Sequence, residues 1–278
     1  MELTIPMLGD LSLQITDQST GGEGYPTRRL QKGLLLLLED EDMAEEGVGF
    51  GVPILKRGIQ TIFPGGMELA ERRRGAVWEV TAVFDMSLVE RLAGPGGESL
   101  KTRSLYAAKN SLAALHRRVP LLRRPLTATS VALRRTFGWV TTFEEAAFRA
   151  AVKVTYVIDS NEGRIDIAVD LTGLPTDGVT EAVVMNEQGA RHFDRYRDSD
   201  GTDLRGEAIG TWDEVTAAEA GFVSTADRVT FSLGQAQGAR LSRGRELIGS
   251  RVAWSGFGYS LPPTLKEFGY TVRIERTT

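Results

Sequence analysis

The residues best suited to acid–base chemistry lie in one polar stretch, RHFDRYRDSDGTD (191–203). His192 is one of two histidines in the chain, and imidazole is the side chain that exchanges protons most readily near neutral pH. Asp194 and Asp200 supply carboxylates in the same stretch, and Arg191 could bind an acidic group of a substrate. The stretch therefore predicts His192, Asp194 and Asp200 as catalytic residues and Arg191 as a substrate-binding residue.

The same stretch contains a candidate metal loop, in which Asp198, Asp200 and Asp203 surround Gly201. Calcium prefers oxygen ligands at alternate positions and a glycine at the sharp turn of its loop. The EF-hand pattern is not met, because Tyr196 stands where that pattern needs a further acid. The spacing predicts a calcium site at Asp198, Asp200 and Asp203, and a solvated acidic turn is the alternative.

Alternating glycines raise a second question about ligands. In GVGFGVP (47–53) glycine occupies every second position at first, and WSGFGYS (254–260) repeats the pattern. No helix signal follows the first stretch, so its context excludes a phosphate-binding glycine loop. Glycine in a strand marks a close approach by another backbone, a ring or a ligand. The pattern predicts a strand with Val48, Phe50 and Val52 on one face, and either tight packing or a ligand cleft on the other.

Aromatic side chains beside glycine or aspartate are candidates for ligand contact. Trp212 and Trp254 lie in mixed or polar surroundings, and Tyr259 belongs to the second glycine-rich strand. Exposed flat rings stack on the rings of sugars or nucleobases. We therefore predict Trp212, Trp254 and Tyr259 as substrate-binding residues, with burial in the core as the alternative.

Composition excludes several classes of protein. The 278 residues include no cysteine, which excludes disulfides, thiolate metal sites and cysteine nucleophiles. The N-terminus MELTIPMLGD has no basic n-region, and the longest aliphatic run, Leu34–Leu38, is far too short to span a bilayer. We therefore expect a soluble, cytoplasmic protein with no membrane partner. The net charge of −4 argues against nucleic acid as a partner.

Charge is unevenly distributed along the chain. Nine basic residues and no acidic residue occur between Lys101 and Arg135. This basic segment could bind an anionic partner, or it could brace the fold through ion pairs with the acidic region 159–219. Its apolar residues recur at spacings of three and four, which predicts one long inserted helix around 100–118, within a helical insertion of about 99–125.

Hydrophobic alternation predicts strands along most of the remaining chain. The clearest unit is VKVTYVIDSNEGRIDIAVDL (152–171), in which two alternating runs flank a turn, as in an antiparallel hairpin. A shorter stretch, TWDEVTAAEAGF (211–222), is a second candidate helix. Strands that do not alternate with helices favour antiparallel sheets over a parallel, doubly wound fold. We therefore predict a mainly β, large antiparallel β-sandwich that forms a single domain over residues 1–278.

With its glycine-flattened strands, scattered tryptophans and acids, and no cysteine, the chain resembles in a general way the carbohydrate-active sandwiches, such as the supersandwich fold of aldose mutarotases. The resemblance implies a supersandwich-like fold and a carbohydrate ligand. The mutarotase pattern also requires a histidine pair that works with carboxylates, whereas His116 and His192 are well separated in this sequence. Two hypotheses follow: a protein that binds or modifies carbohydrate, or a non-catalytic interaction or assembly module that binds an anionic partner through residues 101–135.

Overall fold

The structure is a computed structural model, and it describes residues 1–18, 30–58, 60–93, 140–175, 178–248 and 252–276. Within these ranges the chain is mainly β with antiparallel strand pairs, which confirms the predicted class. Helical structure in the same ranges is limited to a 3₁₀ turn at Gly206–Ile209, and no described helix is long and apolar enough to span a membrane. The predicted helix around 100–118, the insertion of about 99–125 and the basic segment 101–135 lie outside the described residues and stay predictions.

Among the residues that the structure describes, four strands form a small sheet in which strands that follow each other in sequence lie side by side. They are β1 (Glu2–Pro6), β2 (Leu11–Thr16), β3 (Leu35–Leu38) and β4 (Glu41–Asp42). An antiparallel bridge between Leu34, directly before β3, and Phe50 on β5 joins this sheet to the larger one. Leu11, Leu13 and Ile15 of β2 belong to the main core, so the small sheet covers part of the same interior.

Fifteen strands of the described ranges form the larger sheet. The first seven along the chain are β5 (Gly49–Arg57), β6 (Gln60–Arg74), β7 (Val77–Ala93), β8 (Val140–Glu145), β9 (Ala151–Asp159), β10 (Arg164–Asp170) and β11 (Val179–Gln188). The other eight are β12 (Arg195–Asp198), β13 (Asp203–Arg205), β14 (Asp213–Glu214), β15 (Glu219–Ser224), β16 (Val229–Gly234), β17 (Arg240–Ile248), β18 (Val252–Leu261) and β19 (Glu267–Arg276). Their order across the sheet is β13-β12-β15-β16-β19-β10-β9-β7-β6-β5-β11-β18-β17-β14, with β8 beside β7.

The larger sheet folds back so that its two halves face each other across one core. Phe50 on β5 contacts Phe231 on β16 with 5.4 Å between the ring centroids, and Phe222 on β15 contacts Phe257 on β18 at 4.9 Å. Strands that are far apart in the strand order therefore share one apolar interior. This arrangement supports the predicted sandwich, because two layers pack through their inner faces.

The hairpin of β9 and β10 illustrates why this sequence forms strands. Tyr156 and Ile158 are fully buried while Lys153 is exposed, because successive side chains of a strand point to opposite faces. The two strands pair in an antiparallel manner along the whole of β10. The predicted hairpin at 152–171 is confirmed.

A buried asparagine ties the two halves of the sheet together. Asn186 on β11 is fully buried, and its Oδ1 accepts hydrogen bonds from the Tyr270 hydroxyl on β19 at 2.7 Å and from the Gly51 amide on β5 at 3.2 Å. The Tyr156 hydroxyl on β9 donates to the Phe50 carbonyl at 3.2 Å. Burial raises the pKa of Tyr156 and of Tyr270, so both hydroxyls keep the protons that they donate.

A β-bulge at Gly51 changes the direction of side chains along β5. Two consecutive residues of β11 pair with Val52 and Phe50, so Gly51 is the extra residue, and its φ of 77° is one that glycine adopts readily. Phe50 enters the main core, whereas Val48 and Val52 join a second apolar cluster on the outer face of the sheet, which points away from the main core. The prediction that Val48, Phe50 and Val52 share a face is wrong, because it assumed unbroken alternation.

The second predicted helix, at 211–222, is also wrong. Asp213–Glu214 form β14, and Glu219–Ser224 form β15. β15 lies between β12 and β16, where its backbone pairs on both sides and Phe222 is fully buried. These tertiary contacts outweigh the weak helical preference of the local sequence.

We expect Gly51→Ala to destabilise the protein more than Gly58→Ala. Both glycines have a positive φ, 77° and 59°, and an alanine in that region costs roughly 1–2 kcal/mol. A Cβ atom at Gly51 would also lie 2.7 Å from the buried Tyr156 ring, whereas one at Gly58 would have no atom within 4 Å. Overpacking should therefore add about 1–3 kcal/mol to the loss at Gly51. Urea unfolding measures both losses, and equal values would contradict the bulge.

Candidate functional site

His192 has a carboxylate partner that the sequence analysis missed. Its Nδ1 lies 3.0 Å from Oδ2 of Asp227, and the Ser224 hydroxyl donates to the same oxygen at 2.7 Å. Burial raises the pKa of Asp227, but hydrogen bonds from Ser224 and His192 outweigh burial, and the net effect lowers that pKa. Asp227 follows His192 by 35 residues, so no local spacing in the sequence could indicate the pair.

The predicted catalytic group of His192, Asp194 and Asp200 is not assembled. His192 contacts Asp227 and therefore lies near the end of β15, where Ser224 also bonds to Asp227. Asp200 lies near the start of β15, because the amide of Ser199 donates a hydrogen bond to the Glu219 carbonyl. β15 is 6 residues long. At about 3.3 Å per residue, its two ends are roughly 17 Å apart. Among the described residues, the hydrogen-bonded carboxylate at His192 is that of Asp227, not that of Asp194 or Asp200.

The carboxylate of Asp198 is used inside its own turn. The Tyr196 hydroxyl donates to Oδ2 at 2.8 Å, and the amides of Asp200 and Thr202 donate to Oδ1 at 3.1 and 2.9 Å. Burial raises the pKa of Asp198, but these hydrogen bonds outweigh burial and lower it. Asp198 therefore fixes the acidic loop by bonding to its backbone, as aspartate does in many turns.

Asp203 forms an ion pair at the other side of this loop. Its Oδ1 accepts a hydrogen bond from Nε of Arg195 at 2.8 Å. Hydrogen bonding to Arg195, together with the charges of Arg195 and Arg197, lowers the pKa of Asp203 to about 2. Within the described ranges, no group of three or more His, Cys, Asp or Glu side chains is placed to hold a metal ion. The structure does not bring together the predicted calcium ligands, Asp198, Asp200 and Asp203.

Arg191 and Tyr259 do not share a site either. Arg191 is exposed, its guanidinium pairs with Glu45, and its amide donates to the same carboxylate at 3.1 Å. Tyr259 is fully buried, and its hydroxyl donates to the Gly234 carbonyl. Its ring packs in the core with Phe268, at 5.1 Å between centroids. The predicted substrate contact of Tyr259 is therefore wrong, because its position on β18 faces inward.

Trp212 and Trp254 form a stacked pair on the outer face. Their ring centroids are 4.8 Å apart, their planes differ by 18°, and both side chains are partly exposed. Trp254 lies on β18, and Trp212 directly precedes β14 with a φ of 59°, a conformation that large side chains rarely adopt. The structure thus brings together two of the predicted substrate-binding residues, in what we call the tryptophan pair.

Glycines provide the room that the tryptophan pair occupies. A Cβ atom at Gly258 would lie 3.1 Å from the Trp212 ring, and one at Gly244 would lie 2.8 Å from the Trp254 ring. Gly258 of WSGFGYS and Gly244 of β17 therefore form a floor beneath the two indole rings. A Cβ atom at Gly256, by contrast, would clash with the Asn186 backbone carbonyl oxygen. At Gly49 a Cβ atom would likewise lie 2.7 Å from a backbone carbonyl oxygen, so the glycines of GVGFGVP serve tight packing of the chain.

A shallow depression lies on the same outer face, further along β18. Its volume is about 600 Å³, and its wall mixes charged groups, hydroxyls and small apolar side chains. It is lined by Thr180, Glu181, Gly238, Ala239, Arg240, Ser260, Leu261, Pro262 and Pro263. Because Ser260 is two residues from Gly258, which underlies Trp212, the depression and the tryptophan pair are roughly 7 Å apart along the strand.

Glu181 gives this depression its charge pattern. Its carboxylate pairs with Lys56 and lies 3.6 Å from the guanidinium of Arg240. Burial raises the pKa of Glu181, but the hydrogen bond and charge of Lys56, with smaller effects from Ser260 and Arg240, outweigh it and lower that pKa. The depression therefore offers an ionised carboxylate, a guanidinium and a hydroxyl side by side.

A buried carboxyl group lies beside the tryptophan pair, on the neighbouring strand β11. Glu187 on β11 is 6% exposed, and its register partners on the neighbouring strands are Gly49 and Gly256. Burial raises the pKa of Glu187 to about 8, and the negative charge of Glu246 acts in the same direction. The Val48 amide opposes this shift, because it donates a hydrogen bond to Oε2 at 3.4 Å. The polar triplet NEQ, within a strand buried on both faces, is the sequence signal that could have identified this position.

No protein-family model matches this sequence, and no curated protein does. The α-N-acetylgalactosaminidase NagBb from Bifidobacterium bifidum is similar in structure, at a TM-score of 0.48 and 10% identity for the ligand-free form and 0.48 and 11% for the GalNAc complex. The similarity covers 99% of this chain for the ligand-free form and 100% for the GalNAc complex. In both comparisons the chain spans only 36% of the length of that enzyme. The Slr1438 protein from Synechocystis sp. PCC 6803 follows at a TM-score of 0.41 and 7% identity, with 100% and 96% of the two chains covered. At these identities and TM-scores, the likeness says nothing about the function of this chain.

We expect the stability of the protein to fall with rising pH because of Glu187. Its pKa is raised from 4.5 to about 8 in the folded state, so its contribution is complete below pH 4.5 and is lost as the pH rises through about 8. Between these values the free energy of unfolding should fall by about 1.4 kcal/mol per pH unit from this group. Urea unfolding of wild type and Glu187→Gln across this range measures the difference, since glutamine does not titrate.

Glu181→Gln is the matched control for this measurement. The folded-state pKa of Glu181 is lowered, so its contribution is present above its ordinary pKa and is lost only as the pH falls through the folded value. The Glu181→Gln variant should therefore keep the wild-type slope between weakly acidic pH and pH 8. Parallel curves for wild type and Glu187→Gln would show that Glu187 ionises normally.

Proposed function

We propose that the protein binds carbohydrate on the outer face of β11, β18 and β17. The observation that carries this proposal is the tryptophan pair, stacked and partly exposed over a floor of glycines. The faces and edges of indole rings offer apolar surface to the C–H groups of a sugar, and the indole N–H can donate to its hydroxyls. The fixed positions of the two rings reduce the entropy lost on binding.

The adjacent depression supports the same proposal. A sugar needs partners for its hydroxyl groups, and Glu181, Arg240 and Ser260 place an acceptor, a donor and a hydroxyl within one wall. Charged groups form stronger hydrogen bonds than neutral ones, so they favour fixed orientations of a bound ligand. From Trp254 to Ser260 the strand rises roughly 20 Å, which suits a chain of several sugar units rather than a monosaccharide.

Binding is favoured over catalysis by where the acid–base residues lie. His192 pairs with Asp227, and Asp200 is exposed roughly one strand length away from that pair. None of these three residues lines the depression. A catalytic site needs its acid, base and binding groups to converge within contact distance of one substrate. We therefore propose a supersandwich-like binding protein, not a mutarotase or a hydrolase.

We expect Trp254→Ala to weaken sugar binding by about tenfold, since one aromatic stacking contact contributes about 1–1.5 kcal/mol. A glycan array with neutral, amino and uronic oligosaccharides identifies the ligand, and isothermal titration calorimetry then measures the affinity. Trp78→Ala is the matched control, because Trp78 stacks under Arg73 at 4.6 Å, away from this face. A blank array, or equal losses in both variants, would contradict the proposal.

A second candidate function is binding of an anionic partner by the basic segment 101–135. The favouring observation is the run of nine basic residues without an acidic residue between Lys101 and Arg135. The connection that contains this segment begins and ends at paired residues of β7 and β8, since Ala93 is in register with Val140. A segment attached in this way can be replaced by a short linker without moving the two strands.

We expect heparin, a polyanionic probe, to bind the intact protein with an affinity that falls steeply as salt is added, because binding releases counterions. Replacing residues 96–137 by a glycine–serine linker should abolish this binding and leave sugar binding unchanged. This second candidate would be contradicted if the affinity for heparin did not depend on the salt concentration, or if the linker variant still bound heparin.

A further inference from the structure

Glu187 is placed so that its charge acts on the tryptophan pair. Its register partner on β18 is Gly256, which is two residues from Trp254. On β17 the register partner of Trp254 is Glu246. Residues in register share a face of the sheet. The carboxyl groups of Glu187 and Glu246 and the Trp254 ring therefore lie on one face, separated by glycine positions without side chains.

The surroundings of Glu187 are closely packed. A Cβ atom at Gly47 would lie 3.0 Å from the Glu187 carbonyl, and one at Gly256 would lie 2.7 Å from the Glu187 Cα atom, so other backbone segments touch β11 at this point on two sides. The charged groups that face its carboxyl are Glu246 from β17 and Lys32 from the segment before β3, and the amide of Val48, the residue before β5, donates a hydrogen bond to it. A new negative charge in this place would have little water to solvate it.

We propose that the carboxyl group of Glu187 is a proton-linked switch for the tryptophan pair: loss of its proton disturbs the stacking of Trp212 on Trp254 and weakens ligand binding there. The effect on the ligand rests on the proposed function, whereas the effect on the stacking does not. Ionised Glu187 repels the carboxylate of Glu246, and relief requires water to enter or Glu246 to move. Movement of Glu246 changes the position of its cross-strand neighbour, Trp254.

The pH range of this switch follows from burial. Removal from water raises the pKa of Glu187 to about 8, and the charge of Glu246 acts in the same direction while Lys32 opposes it. At neutral pH the carboxyl group is therefore protonated and the tryptophan pair keeps its stacked geometry. A modest rise in pH changes the protonation state.

Tryptophan fluorescence of the ligand-free protein, followed from slightly acidic to alkaline pH, tests the switch. We expect one transition with a midpoint near pH 8 in the wild type and no transition in Glu187→Gln. Trp254→Phe should remove most of the change, because it removes the reporter, whereas Trp78→Phe should keep it. A wild type without a transition, or a transition that persists in Glu187→Gln, would overturn the proposal.

A second variant keeps the test decisive if Glu187→Gln does not fold. Glu246→Gln removes a carboxylate that favours protonated Glu187, so the midpoint should move to lower pH. An unmoved midpoint would overturn the proposal. A blank glycan array together with the expected transition would remove the proposed function and leave the switch supported, so the two failures are distinguishable.

Discussion

Hydrogen bonds to one buried side chain, Asn186, set the relative position of the two halves of the folded sheet. Its Oδ1 accepts from Tyr270 on one half and from the Gly51 amide on the other. Such bonds contribute only about 1 kcal/mol each when made, but a buried polar group left without its partner costs about 1–3 kcal/mol. Apolar contacts tolerate sliding of one layer over the other, whereas these directional bonds do not. The network therefore specifies the register in which the core closes.

The same constraint determines what lies on the outer face. The bulge that brings the Gly51 amide to Asn186 also turns Val52 outward, where it packs with Val183, Met185 and the Trp212 ring. Because strand side chains alternate, the residue after Asn186 must point outward too, and that residue is Glu187. One register, that of β5 on β11, therefore determines two features of the outer face. These features are the apolar residues that support the tryptophan pair and the buried carboxyl group beside it. Strands β5 and β11 therefore contribute both to the hydrogen bonds of the interior and to the proposed ligand surface.

The alternation of apolar and polar residues predicted the mainly β, antiparallel class, because the burial of one face of a strand follows from the local sequence. It succeeded at the β9–β10 hairpin and failed at Gly51, where one extra residue reversed the faces and nothing in the letters GFG distinguishes a bulge from a regular strand. Trp212 and Trp254 were both predicted to bind substrate, but their contact with each other depends on how β14 and β18 pair with the two edges of β17. The pairing of His192 with Asp227 and the burial of Tyr259 are likewise properties of the assembled sheet. Contacts between distant strands cannot be deduced from spacing along the chain.

The central claim is that sugars bind to the outer face through the tryptophan pair, and NMR observation of indole N–H groups tests it most directly. The chain has four tryptophans, so a ¹⁵N-labelled sample gives four indole signals that single substitutions to phenylalanine can assign. On addition of an oligosaccharide, the signals of Trp212 and Trp254 should shift together with one dissociation constant, while that of Trp78 stays in place. Saturating sugar that leaves both signals unmoved, or shifts Trp78 instead, would contradict the account.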